Sequence, residues 1–323
     1  MTRRTPHFRR NYWQAQGHLL VVVLGACAAG IACRAPAAAE RTRPVVRVAR
    51  AFAPLSDRLV EEYRRTLPDL DIRSVDAVDA FDAIQNGTAD LGIAASDRAY
   101  AGYWTATVQE PELQVRGLSL LQPLSAYVLV RPGSGIYSAE HLTGRVVVLG
   151  PKDSTSWTLG NLVLFAVGAR PRLIRSVNTR AEGAAALKDG SADATFFPGY
   201  TYPDEGTLAT IRDGAYLIPI EGPGIDGLRR RHPFVRATAI PRNIYPGQDR
   251  VIPTVGLDMV VVCRRDLDEA IVHDLTQQLF DTFPRLSGVE ASLRFLQLDR
   301  APATPIPLHP GAARYFRERE LSR

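Results

Sequence analysis

Cysteine is nearly missing: three occur in 323 residues, and Cys27 and Cys33 both lie in a leader-like N-terminal stretch. Cys263 is then alone in the remainder, so no intramolecular disulfide can staple it. It ends the run Val260-Val261-Val262, which reads as a buried strand carrying a packed thiol, with no base beside it to make a nucleophile. Histidine is also sparse. His141, His232 and His309 sit next to turns and His273 on a predicted helix, and no pair has the spacing of a metal site. There is no G-x-S-x-G elbow, no P-loop and no G-x-G-x-x-G behind a strand, which removes three motif-borne routes to catalysis. No catalytic residues, no metal and no cofactor are expected. Nor does any apolar run reach the ~18 residues of a membrane span.

What is present begins with an export pattern. Arg3, Arg4, Arg9 and Arg10 form a positive region, Leu19 to Leu24 and a Gly/Ala-rich stretch to Cys33 form an apolar one, and Ala37-Ala38-Ala39 offers an A-x-A cleavage site before Glu40. Residues 1–39 therefore read as a signal segment. Within it Leu24-Gly25-Ala26-Cys27 resembles a lipobox, in which Cys27 is acylated and opens the mature chain. Two addresses stay open: free in the periplasm, or tethered to a membrane through Cys27.

The leader also explains the charge. The chain carries a net +5, but residues 1–39 hold five arginines (Arg3, Arg4, Arg9, Arg10, Arg34) and no acid, so the rest is near neutral. The basic run Arg229-Arg230-Arg231-His232 follows a glycine-rich stretch with no aromatic interleaving. It reads as a solvated turn, and no nucleic-acid partner is expected.

Residues 40–323 contain a repeated phrase: Ala83-Ile84-Gln85-Asn86-Gly87-Thr88-Ala89-Asp90, then Ala186-Leu187-Lys188-Asp189-Gly190-Ser191-Ala192-Asp193. Each copy predicts an amphipathic helix ending in a left-handed glycine, a small-Ala-Asp turn and a short apolar strand (Leu91 to Ala94; Ala194 to Phe197). Around the first copy, a strand at Val45 to Ala49, a loop at Arg50 to Ser56, a helix at Asp57 to Leu67 and a strand near Leu70 to Ser74 give a βαβαβ order, which predicts a parallel sheet. The second copy is preceded by a strand at Arg145 to Leu149, a polar loop at Gly150 to Ser156, a helix at Trp157 to Val167 and a strand at Arg172 to Ser176. A strand at Ser125 to Arg131 carries the chain into the second unit, Pro253 to Val262 brings it back, and helices at Leu267 to Phe283 and Ala312 to Glu320 close it. The expected fold is α/β, two-lobed, with a ligand cleft between the lobes: residues 44–126 plus 254–323 as lobe 1, and 127–253 as lobe 2.

Tyr245-Pro246-Gly247-Gln248-Asp249, the strand through Val262, the helix from Asp266 to Phe280 and the ending Pro305-Ile306-Pro307-Leu308-His309-Pro310-Gly311-Ala312-Ala313-Arg314-Tyr315-Phe316 resemble the solute receptors of TAXI-type TRAP transporters. Gly144 to Val148 and Ala192 to Tyr200 extend the likeness over nearly all of the chain after the leader. The resemblance implies a type 2 periplasmic binding protein that encloses a small anionic solute, a dicarboxylate or an amino acid such as glutamate, and hands it to TRAP permease subunits. It implies no enzyme activity. One departure stands out: where the family has a glycine-rich loop after the first strand, this chain has Arg50-Ala51-Phe52-Ala53-Pro54-Leu55-Ser56, and alanine and proline restrict the close approach of backbone to ligand.

Candidate ligand residues lie at strand C-terminal ends, where open α/β sheets bind. Arg50 and Lys152 offer positive charge. Ser154, Thr155 and Ser156 offer hydroxyls at a helix N-terminus, as anion holder or as cap. Ser96 and Asp97 follow the first repeat strand, Phe197 and Tyr200 the second, Tyr127 lies on the crossover and Phe52 in the first loop. A monomeric receptor is expected. An exported or precursor-binding enzyme on this fold, and a lipoprotein sensor or scaffold without solute binding, are the alternatives.

Overall fold

The protein is described from a computed structural model that covers residues 43–109, 115–199, 203–289 and 299–321. The signal segment, the lipobox with Cys27 and Tyr200 lie outside the described residues. A first unit runs β1 (Val45–Ala49), α1 (Ala53–Thr66), β2 (Asp71–Val75), α2 (Ala80–Gln85), β3 (Leu91–Ala95) and α3 (Ser96–Gln109). Strand β4 (Val115–Val130) leads to a second unit of β5 (Val146–Leu149), α4 (Thr155–Ala166), β6 (Leu173–Ser176), α5 (Arg180–Lys188) and β7 (Ala194–Gly199). Then come α6 (Glu205–Arg212), β8 (Tyr216–Leu217), α7 (Pro223–Arg231), β9 (Arg236–Ile240), β10 (Ile252–Arg264), α8 (Glu269–Val289) and α9 (Pro310–Leu321).

The strands form one open sheet in the order β2-β1-β3-β10-β4-β7-β5-β6, with β9 beside β10 and β8 beside β4. This is mixed, not parallel. Within each unit the pairs β1/β2, β1/β3, β5/β6 and β5/β7 are parallel, as βαβ crossovers require. The long strands β4 and β10 enter between the units and pair antiparallel with β3, with β7 and with each other. Local helix–strand order says nothing about that insertion, because the partners are far apart in sequence. The register of β4 against β10 shifts between Asp258 and Val260, a bulge at the point where the two units meet.

Alternation along β1 sets the layers. Val46 and Val48 face one core with Tyr63 of α1, Val272 and Leu275 of α8 and Phe316 of α9, while Ala49 faces the other side with Phe81 and Ile84 of α2. The second unit repeats this with Val147 and Leu149 against Leu159 and Val163 of α4, and Val146 and Val148 against Ala186. Cys263 is wholly buried in the first core, and burial pushes its thiol far above the usual range.

Both copies of the repeated phrase have one architecture. Asp79 and Thr179 cap α2 and α5 by accepting from the amides of Asp82 and Glu182. Gly87 and Gly190 adopt φ of 76° and 78°, where a side chain would be strained. Then Asp90 N donates to Arg47 O and Arg47 N to Asp90 Oδ2, both at 2.8 Å, while Asp193 N donates to Val146 O and Val146 N to Asp193 Oδ2, both at 2.9 Å. The recurring aspartate is a two-bond clasp between a unit's third strand and its first.

The parallel pairing expected around the first copy holds within its unit, and four other expectations need correction. Helix α1 starts at Ala53, inside the expected loop, because Pro54 falls in its first turn, where no amide is needed. Strand β4 begins ten residues before Ser125. Helix α8 runs on to Val289. The basic run is no turn: Arg229, Arg230 and Arg231 form the last turn of α7, where cations suit the helix dipole. Pro223 at its start and buried Ile225 and Leu228 make the glycine-rich stretch helical.

Candidate functional site

The C-terminal ends of β1, β3, β5 and β7 bring four short segments to the seam crossed by β4 and β10. After β1, Arg50 is consumed by its neighbours: Nε and Nη2 donate to Asp57 Oδ1 and Oδ2 at 2.6 and 3.0 Å, and Nη1 to Asp76 Oδ1 at 2.8 Å. That guanidinium holds the Asp57 carboxyl below the usual carboxylate range. Phe52 precedes α1 without capping it and packs on the first core.

After β5, Ser154 caps α4, accepting from Trp157 N at 3.3 Å and donating to Pro151 O at 2.6 Å. Ser156 is buried, donates to Phe196 O at 2.7 Å and accepts from Gly150 N at 3.0 Å. Lys152 is exposed. Only Thr155 points across the seam: its hydroxyl donates to Asp97 Oδ1 at 3.1 Å.

Asp97 stands in the first turn of α3, 6 % exposed. Burial raises its carboxyl above the usual range, partly offset by bonds from the Arg98 amide and the Thr155 hydroxyl. Its neighbour Ser96, also buried, accepts from Asp258 N at 3.2 Å and donates to Phe234 O at 3.4 Å. Three segments distant in sequence are thereby joined at the end of β3.

The remaining predicted residues do not gather there. Tyr127 is 1 % exposed and packs among Ile240, Tyr245 and Ile252, its ring edge-on to Tyr245. Phe197 lies under the Arg180 guanidinium, 5.4 Å from its ring centre. Cavities of about 380 and 410 Å³ open elsewhere on the second unit, the first beside Leu187, Lys188 and Asp189, the second beside Tyr216 and Gln248. None of the predicted residues lines them. The first sits where α5 ends and β7 begins, the opposite edge of the sheet from the strand C-termini.

Sequence reasoning missed a charge cluster at the bulge. Asp258 of β10 is 7 % exposed, and it accepts from Arg236 Nη1 and faces Arg300 Nη2 at 3.9 Å. The signal was an acid within the apolar run Val255 to Val262, since a buried acid needs a partner. Among the described residues no three His, Cys, Asp or Glu side chains gather as a metal site, and no helix is long and apolar enough to cross a membrane.

Residues 70–319 match the NMT1-like family. The chain belongs to that family. Two solved structures share its fold: XAC2383 from Xanthomonas citri bound to ATP, 14 % identical over 85 % of this chain and 98 % of that one with a TM-score of 0.52, and the same protein bound to chloride ion, 15 % identical over 85 % and 99 % with a TM-score of 0.53. The periplasmic aliphatic sulphonate binding protein SsuA from Escherichia coli is more loosely similar, 17 % identical over 87 % of this chain and 77 % of that one, with a TM-score of 0.43.

Within this NMT1-like chain two of the motifs that carry the sequence resemblance hold the scaffold. Gln248 accepts from the amides of Ile244 and Tyr245 and donates to the carbonyls of Pro241 and Arg250. Buried His309 contacts Arg265 O through Nε2 at 3.0 Å and accepts from Gly311 N through Nδ1 at 3.2 Å, which fixes the neutral Nε2–H tautomer and seats the start of α9.

Proposed function

We propose that this chain is an extracytoplasmic solute-binding receptor, not an enzyme, whose two lobes, residues 44–126 plus 254–323 and 127–253, close on a small anionic solute of dicarboxylate or amino-acid kind. The observation that carries the reading is the bond from Thr155 at the start of α4 to Asp97 at the start of α3. It joins the corresponding edges of two repeated units, and between such edges an α/β protein encloses a ligand. The TRAP-type secondary transporter is its partner on the strength of the sequence resemblance, and it acts as a monomer. Small-angle scattering tests closure: the protein purified without refolding, with its retained solute identified by mass spectrometry, compacts when that solute is restored after dialysis. An unchanged envelope at saturation rejects it.

A second reading, a sensor or scaffold that has given up solute binding, is favoured by the engagement of Arg50, Ser154 and Ser156 within the protein. It predicts that no solute is retained. The periplasmic address, free or tethered through Cys27, is tested by the intact mass of the mature protein with and without Cys27→Ser. A wild-type chain starting at Glu40 rejects the tether.

A further inference from the structure

Arginine 236 opens β9, and its side chain is only 20 % exposed. Its described hydrogen bond leaves from Nη1 to Asp258 Oδ1, while Nε is shielded from solvent and has no acceptor among the described residues. Buried donors are nearly always paired, so an unpaired guanidinium N–H marks a place where a partner is expected. The guanidinium is a planar fork, and its Nε–Nη2 edge presents two parallel donors at the spacing of the two oxygens of a carboxylate. With Nη1 given to Asp258, that edge is the one left, and because Nε is covered in this arrangement a ligand reaches it only when the packing around it opens.

The cluster is anchored where a solute would lie. Ser96 Oγ, at the C-terminal end of β3, accepts from Asp258 N and donates to Phe234 O, two residues before Arg236. One hydroxyl therefore ties the backbone of Asp258 to the segment that leads into the strand carrying the guanidinium. Arg300 adds a second cation beside Asp258. By contrast, Arg50 already spends both edges of its fork on carboxylates.

We infer that Arg236, held in place by Asp258 as its positioning residue, is the group that receives the negative end of the solute, a carboxylate or another small planar oxyanion. This rests on the receptor reading and replaces Arg50 and Lys152 as its anion holders. Acetate, succinate and L-glutamate serve as probes, followed by the Arg236 Nε–H resonance in nitrogen-edited NMR of the whole protein. Saturable movement of that resonance is expected with at least one probe, with affinity falling about tenfold in Arg236→Lys, which keeps the charge and loses the two-donor edge. Succinamide, the uncharged analogue, is expected to bind the two proteins alike.

Arg236→Gln guards against an unfolded variant: its spectrum reports the fold, and its loss of affinity is expected to be at least as large. If a probe binds while the Arg236 resonance stays still and Arg236→Lys keeps full affinity, the assignment is wrong and the receptor reading stands. If no probe binds saturably and no solute is retained on purification, both fall.

Discussion

The two βαβαβ units agree in their turns and disagree in their first loops. Asp90 and Asp193 make the same pair of backbone bonds to the first strand of their unit, and Gly87 and Gly190 take the same left-handed turn. Ahead of α1 stand ion pairs of Arg50 with Asp57 and Asp76, and no side chain caps the helix. At the start of α4 stand three hydroxyls: Ser154 caps the helix, Ser156 accepts from Gly150 N and donates to Phe196 O, and Thr155 reaches to Asp97. A repeat thus preserves what closes a unit on itself and varies what faces the other unit.

The largest expected effect comes from breaking the shared clasp. Asp90 is 5 % exposed and holds two arginines, Arg47 and Arg264. Asp90→Ala takes the carboxylate from Arg47 and the acceptor from the Arg47 amide, while Arg264 keeps Asp266, and is expected to cost about 2 to 3 kcal/mol, the range for charge-assisted hydrogen bonds. Asp193 is 17 % exposed beside Arg131, so Asp193→Ala should cost roughly 1 to 2 kcal/mol, mainly for the unpaired Val146 amide. Urea titration of both variants measures the difference. Equal losses would show that the clasp's backbone bonds, not its burial, set the cost.

A second difference separates the hydroxyls of the second loop. Ser156→Ala leaves Gly150 N and Phe196 O without their partner inside the protein, an expected loss of about 2 to 3 kcal/mol. Ser154→Ala removes only a cap and should cost about 1 kcal/mol. If thermal unfolding puts the two in the opposite order, Ser156 is free to serve a ligand after all.

These contrasts also explain how far the sequence could be read. The repeat, the strands around it and the closing helices follow from local periodicity and from glycines whose positive φ is a backbone demand. Strand β4 was legible only from Ser125 onward, because Gln122 and Pro123 interrupt its apolar run, although its antiparallel partners tolerate them. Hydroxyls read as ligand donors at the start of α4 are divided by tertiary contacts that leave no trace in spacing: Ser156 turns to Phe196 and Thr155 to Asp97. Tyr127 looked like a cleft residue because its strand crosses between units, and it is core because Tyr245 covers it. Arg236 gives no signal in the sequence, where a lone arginine on a strand is ordinarily solvated.

The smallest effect, and the sharpest, is a difference of sign with pH. Arg50 depresses the Asp57 carboxyl, so that pair stabilises the start of α1 above the ordinary carboxylate range and is lost as pH falls through the depressed value. Burial raises Asp97 instead. Its ionised form costs stability once pH exceeds the ordinary carboxylate value, a cost complete above the raised one, and acid relieves it. Acidification should therefore loosen the first loop and spare or tighten the contact between α3 and α4. The amides of Ser56, bonded to Phe52 O at 2.9 Å, and Thr158, bonded to Ser154 O at 3.0 Å, report the two helix starts. Their exchange protection, corrected for the intrinsic pH dependence, should fall at Ser56 only as pH drops below the ordinary carboxylate value toward the depressed one, and hold at Thr158 throughout. Added salt should repeat the loss at Ser56 alone, since exposed ion pairs are screened and hydroxyl bonds are not. Asp97→Asn removes the titrating group and should abolish any acid gain at Thr158 while leaving Ser56 as it was. Parallel loss at both amides would mean that the two loops open as one unit, and the difference in their chemistry would then carry no difference in stability.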